Sequence, residues 1–401
     1  MKKALLLSVI ASTMIMAGGD IAPVEPEVVA PAPVAESGWK FSGQGVLYYE
    51  TNDDWNSNSR SFFDQESSRA NAGIQLTATN DNLISGVGFG VQLNGIGTLG
   101  LEENVVSGVM QSADSNLNGG YVSQLYLTYG INNTSFKVGR QELPKALSPF
   151  AYSEDWNVFK NTFDAALVVN TDIPNTTFVG AWVRDANYNG YGANMNDFNK
   201  LNGNDGVWML TAQNKSIENL ILTGSLYYAN DYANILWVDA GYDADIMNIG
   251  LQGGFIDPDA SNRDNTLIFG AKIESKFNIV NASLAFSHIN DGYTSMLNFG
   301  GRTSVLYTDM IADQSSNYRI DNNKYVIRAN ADVLGGNLEG AYGYTNFQNS
   351  RPAFKEFDLT YKASITENAN IAINYFYKND GCTYCADEAE NAIRFIGRYN
   401  F

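Results

Sequence analysis

The sequence predicts an all-β chain closed into a transmembrane antiparallel β-barrel of about eighteen strands. Three observations carry that prediction: the alternation of the last segment, the character of the start, and connections that are alternately long and short. In 392–401, Ile393, Phe395, Tyr399 and Phe401 share one face, and Arg394, Arg398 and Asn400 share the other. The apolar face suits lipid. A face with two arginines needs water, so the far side of the wall reads as a wet lumen.

At the start, Lys2 and Lys3 precede an apolar run over 4–17 that is too short to span a bilayer as a helix and ends in small residues. This predicts a signal peptide over 1–17. No Cys lies near that point, so a lipoprotein anchor is excluded, and no later stretch approaches the roughly 18 apolar residues of a transmembrane helix. Residues 18–37 include DIAPVEPEVVAPAPVAES, whose prolines among Ala, Val and Glu build neither strand nor core. They predict an extended periplasmic tether, read as a spacer in preference to a cell-wall anchor.

The barrel is predicted over 38–401. Period-two segments of about ten residues run at 38–51, 68–79, 84–95, 120–131, 133–141, 161–170, 175–184, 206–214, 218–230, 234–242, 245–256, 265–275, 278–288, 323–333, 337–347, 354–365, 369–378 and 391–401. An even number returns both chain ends to the periplasmic side. The connections 80–83, 132–133 and 171–175 are tight and predict periplasmic turns. Those at 52–67, 96–119, 142–160, 185–205 and 289–322 are long and predict outer loops. The outer connection 231–233 is short and is the weakest point of the scheme.

By parity, Phe163, Ala165, Leu167 and Val169 are assigned to lipid, as are Ile371, Ile373, Tyr375 and Tyr377. Tyr48, Tyr49, Tyr129, Tyr227, Tyr228 and Tyr399 near strand ends suit interfacial girdles. The inward basic positions are Arg69, Lys272, Arg328, Lys362, Arg394 and Arg398. Closure sets the last strand beside the first, so most of them share one arc of wall and form a pore-lining ladder. Singly, such cations could instead pair with Glu339, Glu274 or Asp332.

The third outer loop reads ELPKALSPFAYSEDWNVFK, rich in Pro and aromatic residues for an exposed segment. It is expected to fold into the barrel as a constriction, with Phe150, Tyr152 and Trp156 on the wall and Glu142, Glu154 and Asp155 facing the basic arc. Lys137, Arg140, Gln141 and Lys145 belong to the same candidate constriction. If Phe136 and Val138 face lipid, Arg140 does so too, unless a bulge at Gly139 shifts the register.

Composition excludes other classes. With 43 acidic and 25 basic residues the net charge is −18, which argues against nucleic acid. Acidic outer loops suit the lipopolysaccharide layer and could hold a divalent cation such as calcium; no other cofactor and no dedicated metal site is expected. Cys382 and Cys385, in GCTYC, lack a nearby His for haem or zinc and are read as a local disulfide in the last outer loop. His288 is the only histidine, and Ser287 beside it points to the opposite face, so no catalytic dyad forms. The chain is not expected to be an enzyme.

The segment FKVGRQELPKALSPF, followed by NTFDAALV, resembles the strand, constriction loop and next strand of OprD-like and Campylobacter-type major outer-membrane porins. With the MKKALLL start and the final Phe, the resemblance covers the barrel in outline, and this one stretch is its specific part. It implies an eighteen-stranded barrel in the cell outer membrane passing small hydrophilic solutes by diffusion. A channel specific for small anions or carboxylates, and a structural or adhesive surface barrel, are the alternatives. Phe401 resembles the terminal aromatic read by the barrel-assembly machinery. Such relatives are trimers or monomers, and small outward residues around Gly43 and Gly45 would suit a homotrimer.

Overall fold

The computed structural model describes residues 38–54, 61–114, 117–294, 298–312, 320–348, 352–379 and 389–401. The expectations for 1–37, signal and tether included, and for Cys382 and Cys385 lie outside the described residues.

Eighteen long antiparallel strands form one closed sheet. They are β1 (Lys40–Asp54), β2 (Ser68–Ile84), β3 (Val87–Gly97), β4 (Gly119–Ile131), β5 (Thr134–Gln141), β6 (Phe163–Asn170), β7 (Thr176–Asn187), β8 (Val207–Asn214) and β9 (Leu220–Ala229). The second half comprises β10 (Ala233–Asp243), β11 (Met247–Pro258), β12 (Thr266–Phe277), β13 (Val280–Ile289), β14 (Asn322–Val333), β15 (Gly336–Phe347), β16 (Phe354–Ser364), β17 (Ala369–Asn379) and β18 (Ala389–Asn400). Each pairs with the next, and β1 pairs with both β2 and β18, which closes the cylinder and leaves no free edge. Among the described residues no helix is long and apolar enough to cross a membrane; here the strands supply the apolar surface. Leu127, Val138, Leu210, Leu226, Leu251 and Ile327 all point outward and stay exposed, giving the wall an apolar belt of the kind lipid requires.

The tight turns lie where the sequence signals them. Asn132, Asn175, Asn219, Asp245 and Asn278 adopt left-handed backbone, which Asn and Asp tolerate better than other side-chain-bearing residues. One turn moves. The expected turn at 80–83 is instead an irregular continuation of β2, and the chain reverses at Ser85 and Gly86, with φ of 51° and 86°. The Asn82 side chain accepts the Gly86 N–H at 2.8 Å, so the Asp81-Asn82 pair serves the turn without being the turn. The short outer connection is confirmed at 230–232, where Asp231 has φ of 59°.

Parity holds on β18, where Phe395 and Tyr399 are exposed outward and Arg394, Ile396 and Arg398 are buried inward. On β6 it is reversed. Phe163, Ala165 and Val169 are buried in the lumen, with Leu167 packed against the same cluster, and Asp164 faces outward. The cause is the 142–162 loop: its Leu143, Leu147 and Phe150 join that cluster, so the lumen here is a packed protein interior that rewards an apolar wall. Tyr48 and Tyr227 also face inward and are almost wholly buried, while Tyr129, Tyr228 and Tyr399 are exposed.

Candidate functional site: the lumen and its inward loops

The 142–162 loop crosses the barrel. It tightens just after β5, where Pro144 O accepts the Ser148 N–H at 3.0 Å and the Ser148 hydroxyl at 2.6 Å. That turn delivers Phe150 to the wall at β9 and β10, where its ring meets Tyr227 edge-on at 5.3 Å and Trp237 at 5.6 Å. The loop then returns to β1 and β18. Tyr48 Oη donates to Trp156 O at 3.3 Å, and Arg398 donates to Val158 O at 2.8 Å and to Asn157 O at 2.7 Å. Phe159 covers Gly73 of β2, where a Cβ would come within 2.7 Å of the ring. The aromatic residues are thus buried because the barrel wall supplies the apolar surface that solvent cannot.

A second inward segment, 298–312, lies within the expected outer loop 289–322. It locks onto the first through Glu154, which is 4% exposed and accepts four hydrogen bonds. The donors are Trp156 Nε1 (2.8 Å), Asn298 Nδ2 (2.9 Å), Thr303 N (2.8 Å) and Thr303 Oγ1 (2.7 Å). The far end of this segment is held by the wall. Arg328 donates to Tyr307 O and Asp309 O, while Asp358 and Glu356 on β16 accept the Ile311 and Ala312 N–H groups. Tyr307 Oη donates to Asp239 on β10 at 2.7 Å. The inward acids of β16 alternate visibly in the run EFD, but attention to basic positions alone passes over them.

The basic positions divide into two groups. Arg394, Arg398 and Arg328 point into the barrel but are 1%, 5% and 6% exposed, and they hold protein groups in place of solute. Arg394 pairs with Glu50 at 2.8 Å, donates to Tyr191 Oη at 3.1 Å and lies over the rings of Trp156 and Phe376. Arg69, Lys272 and Lys362 are only partly buried. Lys272 lies 3.6 Å from Glu274, and Arg69 lies 3.9 Å from Glu50. The six therefore do not form one uninterrupted ladder.

The candidate constriction residues also separate. Glu142 and Lys160 pair at 3.2 Å with water still reaching both, and Asp155 lies 3.6 Å from Arg398. The Glu142 carboxylate holds the Lys160 ammonium above its ordinary range. Lys137 lies over the Tyr126 ring at 3.9 Å, and Lys145 donates to Ser304 O at 2.9 Å. Gln141 is fully buried, its amide bonded to Lys137, Gly139 and Ala165 carbonyls, and does not line water. Glu154 does not face the basic arc. Gly139 has a φ of 125°, yet the register continues unshifted through it, and Arg140 pairs outward with Asp164 at 2.9 Å. Its guanidinium is outside the lumen.

Above the loop, Tyr191 stands between Arg69 and Arg302, whose guanidinium carbons lie 5.3 and 4.9 Å from its ring centre. Burial raises its phenol to about 12, so it stays neutral. Tyr191 and Arg302 escaped sequence reasoning because no local pattern separates them from ordinary loop residues.

No family model matches the chain, and no curated protein is detectably similar in sequence. Solved structures are similar in shape. Pseudomonas aeruginosa OccK8 (OprE) superposes with a TM-score of 0.71 at 15% identity, over 90% of this chain and 98% of that one. The fold is that of these channels' barrels. OpdK of the same organism, solved with vanillate, gives 0.73 at 14% identity, over 90% and 98%. Acinetobacter baumannii OccAB3 gives 0.69 at 14%, over 90% and 99%. At such identities the likeness speaks for the eighteen-stranded architecture and not for particular side chains.

Proposed function

We propose that the chain is an outer-membrane porin that passes small hydrophilic solutes and ions through a lumen narrowed by the 142–162 loop and the 298–312 segment. The observation that carries this reading is ionised side chains kept wet inside a closed barrel. Glu142 and Lys160 are 29% and 24% exposed, and Glu274 is 28% exposed, all on inward-facing positions. Charges at such positions stay ionised only beside water, and continuous water is a path for solutes. Acids and bases alternate there, so the narrow zone should bind no ion strongly, as throughput demands. The outward Phe401 and the net charge of −18 support assembly through the terminal aromatic and contact with the lipopolysaccharide layer.

A second reading, a channel preferring small anions or carboxylates, is favoured by Arg69 and Arg302 at the outer mouth. Arg69 has only a long 3.9 Å approach to Glu50, and Arg302 Nε has no hydrogen-bond acceptor among the described residues. Planar-bilayer recording tests both. Ohmic, water-filled openings with weak ion preference support the general porin, and a strong anionic reversal potential abolished by Arg302→Ala supports the second. A barrel that inserts and passes no current overturns both readings.

A further inference from the structure

The outer loops above β1–β3 keep apolar side chains in the open. Phe63 is 62% and Leu99 75% exposed, with Leu101 and Val105 exposed beside Leu99, whereas the outer connections 200–206 and 259–264 present mainly polar residues and glycine. Phe63 and Leu99 also hold left-handed backbone, with φ of 69° and 57°, a region that bulky side chains enter only at a cost in strain. Strain and exposure coinciding at two apolar residues point to a contact made outside the chain.

Geometry places that contact on the lipid side of the wall. Thr51, Ser68 and Ala70 share the outward face with Leu47, yet they are buried, and the 61–67 loop folds back over this end of the face. The Phe63 N–H donates to Thr51 Oγ1 at 2.8 Å, and Ser68 Oγ donates to Asp64 O at 2.8 Å. The Phe63 ring then lies parallel to that of Tyr49 at 6.4 Å, and Tyr49 meets Phe395 of β18 at 6.4 Å, so the loop extends an outward aromatic column. Taking about 3.4 Å per residue and a tilt of about 40°, Tyr49 stands roughly 21 Å above Phe41 at the periplasmic end of β1, near the top of an apolar band about 25 Å tall. Gln65 joins this loop to the next: its amide donates to Glu102 O at 2.9 Å, and its carbonyl accepts the Ser107 N–H at 2.9 Å.

We infer that Phe63, Leu99, Leu101 and Val105 form an apolar foot that dips into the hydrocarbon edge of the outer leaflet, where lipid acyl chains cover it. The inference rests on the membrane-spanning reading proposed above. Lipid is the fitting partner because the foot continues the outward column of Tyr49 and Phe395 at the height where hydrocarbon gives way to headgroups. Asp64, Glu66, Glu102 and Glu103 stand in the same two loops, so the foot has the mixed make-up of an interfacial segment, with apolar groups for the tails and ionised groups for the headgroup layer.

The test uses full-length protein, with Cys382 and Cys385 changed to Ser, diluted in phosphatidylcholine liposomes that hold no other protein. Nitroxide is attached singly at Phe63→Cys, Leu99→Cys or Val105→Cys, at Leu284→Cys on β13, or at Asp231→Cys in the short outer connection. Leu284→Cys should collide freely with oxygen and little with a water-soluble nickel complex; failure of that control rejects the membrane-spanning reading itself. With the control met, the three foot labels should follow Leu284→Cys, with nickel collision several-fold below that at Asp231→Cys. In F63S/L99S, folded by heat-modifiable mobility, nickel collision at Val105→Cys should rise several-fold toward the Asp231→Cys value. Nickel collision at Phe63→Cys or Leu99→Cys equal to that at Asp231→Cys overturns the proposal. So does shielding of the foot from both oxygen and nickel, the mark of a protein cover, or a Val105→Cys signal unchanged in F63S/L99S.

Discussion

Replacing Glu154 by Ala should loosen the constriction without unmaking the barrel. The carboxylate is the most heavily bonded of several links between the two segments, beside Tyr152 with Asn298 and Thr303, Phe299 N with Phe150 O and Lys145 with Ser304 O, and its loss leaves Trp156 Nε1, Asn298 Nδ2, Thr303 N and Thr303 Oγ1 without their acceptor. Hydrogen bonds to a charged group contribute about 1.5–3 kcal/mol each, but the four share one anion and water can enter the gap. A combined loss of about 3–5 kcal/mol is the reasonable scale, which raises the open population of the loop pair by about two to four orders of magnitude. No barrel ladder bond involves Glu154, so heat-modifiable mobility should hold. Single-channel traces of E154A should show larger and noisier conductance, and limited proteolysis should cut within 142–162. Wild-type conductance, noise and proteolysis in a verified E154A protein would refute the reasoning and show that the wall alone fixes the loops.

Other changes separate anchors from pore lining. Arg394→Gln removes the partner of the buried Glu50 and should cost about 3–5 kcal/mol, seen as a lower unfolding temperature of the barrel in gels. Lys272→Glu with Lys362→Glu should leave that temperature nearly unchanged and move the reversal potential toward cations, because these inward side chains are only partly buried. Lys160, raised by Glu142, keeps its charge below its elevated folded value and loses the associated stability only as pH rises through it. Its ammonium resonance should therefore titrate above the ordinary lysine value of about 10.4. Gly43→Val should block seam closure, since a Cβ there would lie 2.4 Å from the Phe401 ring, whereas Gly45→Val meets nothing within 4 Å; the yield of heat-resistant barrel distinguishes them.

What the sequence made legible was governed by local rules, and what it hid was governed by what fills the lumen. Strand count, turn placement and the inward fold of the 142–162 loop follow from periodicity, left-handed Asn positions and an excess of aromatics that solvent cannot accept. Face assignment assumed a polar lumen throughout. That assumption suits β18, whose arginines meet backbone carbonyls and a glutamate, but it fails on β6, where Phe163 and Val169 meet Phe150 and its neighbours. The same reversal sends Asp164 outward to Arg140, so one misjudged surface accounts for both the wrong parity and the missed ion pair. Glu154 shows the remaining difficulty. Its neighbour Asp155 approaches Arg398 while Glu154 turns toward Asn298 and Thr303, residues nearly 150 positions away, and no spacing within the loop distinguishes the two carboxylates. An inward loop is thus predictable from its own composition, whereas the side chains that water reaches are decided by a second loop whose docking groups lie on the distant strands β14 and β16.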